Sequence, residues 1–307
     1  MKKITLIIII LIIIVLAVLG FFILNKTTTQ DTAENLIQEE TETGTTTQEK
    51  NIEEEIPSQG QRVIGQSAGG NNIEAFVYGT GDSHLLFVGG IHGGYSWNTA
   101  LVAYNLIDYL EANPNAIPAG VRVSVVPVLN PDGLKETTGK TGRFARTDVA
   151  TSDEVRVAGR FNGNNVDLNR NFDCDWQTEG KWQTRTVSGG SAAFSEPEAQ
   201  AIREYVEQSS PDAVVVWYSS AGGVFASNCH NGVLPETREI MNVFASASGY
   251  KAYEEFNFYE ITGDMTNWLA KIRVPAISIL LTTHEGLEWD KNLKGIQALF
   301  SYYAKNQ

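Results

Sequence analysis

The sequence predicts an α/β fold whose sheet is largely parallel or mixed and covered on both faces by helices. Three observations carry this. From about Gln61 onward, short apolar runs suited to buried strands alternate with segments of helical period. One such run, Leu85-Leu86-Phe87-Val88, passes into a glycine-rich turn bearing a single histidine, His92, and then into a helical stretch from Trp97 to Glu111. Turn and cap signals punctuate the rest of the chain.

The later elements come in order. A strand runs from Val121 to Leu129, with Arg122 flanked by valines, and ends at the turn signal Asn130-Pro131-Asp132-Gly133. Ser195 and Glu198 have capping-box spacing ahead of a helix that reaches about Gln208. Asp212 to Tyr218 reads as a buried strand, and Glu236 to Ser248 as a helix stopped by Gly249. Pro275 to Leu281 is a further strand. Leu293, Ile296, Phe300 and Tyr303 mark a final amphipathic helix. No internal repeat is present.

The first 60 residues differ. Ile4 to Leu24 is apolar except for Thr5 and Gly20, and about 1.5 Å per residue lets it span a bilayer core. Lys2 and Lys3 precede it, so the positive-inside rule leaves the N-terminus cytoplasmic. A cleaved signal peptide would have a shorter apolar region followed by small residues, whereas Phe21 to Leu24 extends the run. Residues 1–26 are therefore expected to be a single-pass membrane anchor. Residues 27–60, rich in Thr, Glu and Gln, bury too little to offset their ordering entropy and are expected to be a disordered acidic linker. Residues 61–307 form the folded, extracytoplasmic part. The net charge of −13 divides as +3, −8 and −8 over these three regions, which argues against nucleic acid as a partner. Cys174 and Cys229 are the only cysteines; an even count in an exported domain suggests a disulfide, the alternative being two buried thiols.

The strand–turn–helix at residues 85–98 puts His92 at the carboxyl end of a strand, the edge where open α/β sheets bind ligands. Four segments then line up: GGIHGG at 89–94, NPDG at 130–133, GRFNGNNVDLNRNF at 159–172 and FSEPEAQAI at 194–202. Together with Tyr259-x-x-x-Gly263 and Trp268, they resemble the zinc carboxypeptidase family of the carboxypeptidase A and T type, over about Gln61 to Gln307. The resemblance implies a single α/β domain with a mixed, twisted sheet between helices. It also implies a zinc ion held by two His and one Glu, with a Glu as general base, an Arg at the oxyanion, and an Arg and an Asn that clamp the substrate's C-terminal carboxylate.

Carried over residue by residue, the resemblance divides. His92 matches the first zinc ligand. The Glu ligand falls on Tyr95 or Ser96, the second His on Tyr218 or Ser219, and the general base on Leu280. Arg160 matches the oxyanion Arg, Asn169 and Arg170 the carboxylate clamp, and Tyr259 the mobile Tyr that closes over the substrate. Of the other histidines, His230 and His284 could approach the pocket rim, while His84 opens the strand and belongs at the opposite edge. One imidazole makes a poor tetrahedral zinc site, so no zinc is expected and no catalytic residue is retained. With the metal and both glutamates gone, Arg160 and Arg170 should leave the pocket net positive, with Arg170 facing solvent or ligand.

The expected function is thus a membrane-anchored, catalytically inactive carboxypeptidase-like domain binding the C-terminal carboxylates of peptides or cell-wall peptides. The alternatives are an active zinc carboxypeptidase with a rearranged metal site, and a structural or partner-binding module with a vestigial pocket.

Overall fold

The computed structural model describes residues 60–305. The expected anchor, and the expected linker apart from Gly60, lie outside the described residues. No described helix is long and apolar enough to cross a membrane.

The strands are β1 (Gly60–Gln66), β2 (Asn72–Tyr78), β3 (Ser83–Val88), β4 (Val121–Val126), β5 (Glu179–Trp182), β6 (Arg185–Ser188), β7 (Ala213–Ser219), β8 (Gly223–Ala226), β9 (Ala252–Tyr253) and β10 (Ala276–Leu281). The α-helices are α1 (Trp97–Ala112), α2 (Pro131–Thr138), α3 (Asp153–Ala158), α4 (Pro197–Ser209), α5 (Pro235–Ser248), α6 (Met265–Lys271) and α7 (Trp289–Lys305). Eight strands form one sheet in the order β1-β2-β4-β3-β7-β10-β8-β9, and β5 with β6 forms a separate hairpin. Strands β4, β3, β7 and β10 are mutually parallel at the centre, while β2 and β8 join them antiparallel. The sheet is therefore mixed, as expected.

Central parallel strands are covered on both faces, which is why β3 reads as a continuous apolar run rather than an alternating one. Its side chains divide by parity. Leu85 and Phe87 pack in the core that holds Trp97, Trp217 and Phe300, and Leu86 and Val88 in the core that holds Ile202, Tyr205 and Met265. The parallel register brings the ends of β3, β4, β7 and β10 to one edge, so the residues after them meet there.

The glycines of the turn after β3 permit a close approach. A Cβ on Gly93, at φ +43°, would strike the Gly133 backbone and the Gly159 carbonyl, and one on Gly94 would strike the Thr137 side chain. Segments GGIHGG, NPDG and the start of GRFNGNN are thus packed backbone to backbone.

Two local expectations are corrected. NPDG does not close a turn. Asn130 caps the N-terminus of α2 by accepting from Gly133 N at 2.8 Å, with Pro131 at the first helical position, where its missing N–H costs nothing. The Asp132 carboxylate instead accepts from Ser67, Gly69, Asn71 and Gly163, pinning two loops. Ser195 and Glu198 form no capping box either. Glu196 is the N-cap of α4 and makes no side-chain cap bond, while Glu198 turns inward and accepts from Ala68 N and Asn162.

Cys174 and Cys229 form the expected disulfide, with Cα atoms 6.2 Å apart. It joins the segment after Asn169-Arg170 to the segment after β8.

Candidate functional site

A cavity of about 720 Å³ opens at the carboxyl edge of the central strands. His92, from the turn after β3, Tyr218 and Ser219, from the end of β7, and Leu280, from the end of β10, all line it. Arg160, Asn169, Arg170, Tyr259 and Tyr95 line it too, so of the residues matched to the family's site only Ser96 is absent, being buried away from the cavity.

The floor is organised by Asp167, a residue to which the sequence alone assigned no role. It is fully buried and accepts from Arg160 Nε at 2.9 Å and Nη2 at 2.8 Å. Burial alone would raise its pKa, but the Arg160 guanidinium holds the carboxyl well below the usual carboxylate range. His92 Nε2 lies 3.5 Å from the same carboxylate, yet neither of its ring nitrogens has a hydrogen-bond partner. Burial, reinforced by Arg160, holds the imidazole down to about 4, so it is neutral at pH 7. The position of Asp167 in VDLNRNF, two residues before Asn169, was the signal available for finding it.

Asn169 makes three side-chain hydrogen bonds. Its Nδ2 donates to Asp264 at 2.7 Å, and its Oδ1 accepts from Tyr218 OH and Met265 N, both at 3.1 Å. Of the two surroundings expected for Arg170, solvent or ligand, it does not face solvent: it is 1% exposed and lines the cavity. The β5–β6 hairpin folds over it, and Lys181 O accepts from its Nε at 3.0 Å and Nη2 at 2.6 Å, while Asn169 O accepts from Nη1 at 2.5 Å. No carboxylate stands within ion-pairing distance of Arg170 among the described residues. Tyr259 lies with its ring 5.9 Å from the Arg170 guanidinium.

The side walls are aromatic. Arg160 is sandwiched between Trp182 and Tyr95, at 4.3 and 5.5 Å, and Tyr95 packs edge-on against His284 at 4.6 Å. His284 is the second histidine at the cavity; its Nδ1 lies 2.8 Å from Ser219 Oγ, and burial holds its pKa down to about 4. His230 does not reach the site. It is exposed and pairs with Asp175 at 2.8 Å. His84 is buried at the far end of β3, against Ser124 and Ser209.

The residues at the strand ends do not fit a zinc ion. Tyr218 sets its ring 5.7 Å from that of His92, and burial raises its hydroxyl pKa far above neutrality, so it offers no anionic donor. Leu280 supplies no carboxylate. Among the described residues, no group of three or more His, Cys, Asp or Glu is placed to hold a metal. The expected net positive lining is corrected as well. Against Arg160 and Arg170 stand the carboxylates of Glu254, Glu255, Glu260 and Asp264, from a loop whose approach to the pocket is a tertiary matter.

Comparison with known proteins places this geometry in context. The family model described as zinc carboxypeptidase matches residues 48–281. Gamma-D-glutamyl-L-diamino acid endopeptidase 1 of Lysinibacillus sphaericus is 26% identical over 215 residues, 64% of this chain and 54% of that protein. Human carboxypeptidase D is 27% identical over 165 residues, 52% of this chain and 9% of that one. The matches thus span about half, or much less, of these relatives' length. Among solved structures, bovine thrombin-activatable fibrinolysis inhibitor in complex with tick carboxypeptidase inhibitor superposes with a TM-score of 0.63 at 15% identity, covering 82% of this chain and 92% of that one. Murein-tripeptide amidase MpaA from Escherichia coli O157 gives 0.54 at 20%, covering 80% and 92%. These structural likenesses concern the fold.

Proposed function

The chain belongs to the zinc carboxypeptidase family, and we propose that it keeps a carboxylate-binding pocket while lacking the hydrolytic centre. The observation that carries this is Arg170. A buried guanidinium without an anionic partner is costly. Arg160 has its partner in Asp167; Arg170 has only two backbone carbonyls, and of its five N–H groups three are used. The remaining two, one on each terminal nitrogen, can donate to a carboxylate that enters the cavity. His92 lines the same cavity, and its Nδ1 has no hydrogen-bond partner. At the strand ends, where the family places its ligands and base, Tyr218 and Leu280 provide no group able to deprotonate water at neutral pH.

The ligand is a peptide, or a cell-wall peptide, with a free C-terminal carboxylate. The name of the Lysinibacillus sphaericus relative, which acts on a gamma-D-glutamyl-L-diamino acid bond, supports that class. The apolar run Ile4–Leu24 would tether the domain to the cell membrane by a single pass, N-terminus cytoplasmic, with residues 27–60 as spacer and residues 61–307 outside. A disulfide suits such an oxidising location.

Titration calorimetry with matched acid and amide peptides tests the reading. Binding of the acid at up to millimolar peptide, with loss on amidation, is expected. Equal affinity for both forms would leave a pocket with no carboxylate function. Elemental analysis of the same sample is expected to find no stoichiometric zinc; one tight zinc per chain would revive the hydrolase.

A further inference from the structure

We propose that His284 is a fixed hydrogen-bond acceptor in the wall of the pocket, with Nε2 receiving a main-chain N–H of the bound peptide. This rests on the carboxylate reading above and names a second point of contact for the same ligand.

The acceptor follows from placing the protons along a chain of three side chains. Asn98, in α1, is fully buried, and its Nδ2 donates to Thr283 O at 2.8 Å and Gly286 O at 3.0 Å. Backbone carbonyls only accept, so the amide cannot be turned round, and its Oδ1 faces Ser219 Oγ at 3.1 Å. Ser219 is the only donor that reaches that oxygen among the described residues. A buried carbonyl left without a donor is costly, so the Ser219 proton belongs to Asn98. The same hydroxyl lies 2.8 Å from His284 Nδ1 and has no second proton to give, so Nδ1 carries the hydrogen and donates to Ser219 Oγ. Burial, reinforced by Arg160 and Arg156, keeps the ring neutral at pH 7. A neutral imidazole with its proton on Nδ1 has a lone pair on Nε2.

That lone pair is left for a ligand. His284 lines the cavity, and its Nε2 has no hydrogen-bond partner among the described residues. Tyr95 packs edge-on against the ring at 4.6 Å, and Asn98 ties the turn that carries His284 to α1, so the acceptor is held in place before a ligand arrives. Arg170 offers only donors, which suit a carboxylate; His284 offers the complementary group. A peptide carries N–H groups on the residues at its carboxyl end, one for each Cα–Cα step of about 3.8 Å. An ester in place of that amide would turn an oxygen lone pair toward Nε2 and leave both atoms unpaired. A site built to bond an N–H discriminates strongly against the analogue that lacks it.

The test uses the full chain in neutral detergent at pH 7, with isotope-labelled histidine. Two-bond proton–nitrogen correlation spectra separate the two neutral tautomers, and the His284 signals are those missing from His284→Phe. The Nδ1–H form is expected in the native chain, and Ser219→Ala should release it to a mixture. The Nε2–H form in the native chain, or a form that Ser219→Ala leaves unmoved, would overturn the proposal. Calorimetry then compares an N-acetylated alanine tripeptide acid with two analogues, in which an ester oxygen replaces the N–H of the last or of the preceding residue. One analogue is expected to bind about tenfold more weakly than the peptide, and His284→Phe to bring the two within about twofold. The comparison in the native chain stands even if that variant does not fold. Both analogues binding as tightly as the peptide, with the acid still preferred over its amide, would overturn the His284 site and leave the carboxylate reading intact. Discrimination against the ester that persists in a folded His284→Phe would overturn the assignment to His284. Binding of no peptide at all would remove both readings together.

Discussion

The two sides of the pocket differ in how far their residues also hold the chain together. On the side supplied by residues 160–170, Arg160, Asn169 and Arg170 form a polar, hydrogen-bonded wall. On the side supplied by the strand ends stand His92, Tyr218 and Leu280. The difference has a physical basis. The first group also holds the chain together: Asn169 bonds Met265 N and Asp264, Arg170 bonds the hairpin at Lys181, and Arg160 neutralises a buried carboxylate. At the strand ends the His92 ring makes no hydrogen bond, the Leu280 side chain can make none, and Tyr218 OH makes one, to Asn169.

The largest effect is expected at Asp167. Asp167→Ala leaves Arg160 charged and buried without a partner, and should cost about 3–5 kcal/mol of stability by urea denaturation. A loss below about 1 kcal/mol would mean that the charged side is not structural. Acidification sharpens the same contrast from the other side. The His92 pKa is about 4 in the folded chain against 6.5 for an unperturbed ring. Between those values the unfolded chain binds more protons, so stability is full above about pH 6.5 and falls toward pH 4, by on the order of 3 kcal/mol for this ring. His84 and His284, held down to about the same value, add to the fall. His92→Gln should flatten the profile, read as melting temperature against pH; an unchanged slope would contradict the neutral buried imidazole. The smallest effect lies at the strand end. Tyr218→Phe removes one hydrogen bond, to Asn169, and should cost about 1 kcal/mol. A much larger loss would show that the strand end also carries structure and that the two sides are not distinct.

Much of the fold was legible because its signals are local. The Leu85–Val88 run, the glycines around His92 and the valines from Val214 each fix an element without reference to the rest, and the family motifs assign their order. The corrections fall where a residue's role depends on something distant. NPDG contains every turn-forming residue, yet Asn130 caps a helix because Asp132 is drawn away to bind the loop at Ser67–Asn71. Ser195 and Glu198 have capping spacing, but Asn162 and Ala68 claim Glu198. Arg170 is buried by a hairpin, residues 179–188, that carries no apolar alternation strong enough to announce itself. The lining carboxylates Glu254, Glu255 and Glu260 lie 84 to 91 residues from Asn169 and Arg170 in sequence, and only the folded chain brings them together.

The disulfide has a consequence for survival outside the cell. It encloses residues 175–228, a stretch that includes the exposed turn of the β5–β6 hairpin over the pocket. Such turns are where proteases cut first. A single cut there severs the backbone but releases nothing, since each fragment stays bonded to the other through sulfur. The nicked molecule would still run as one species on a non-reducing gel and separate into two only after a thiol is added.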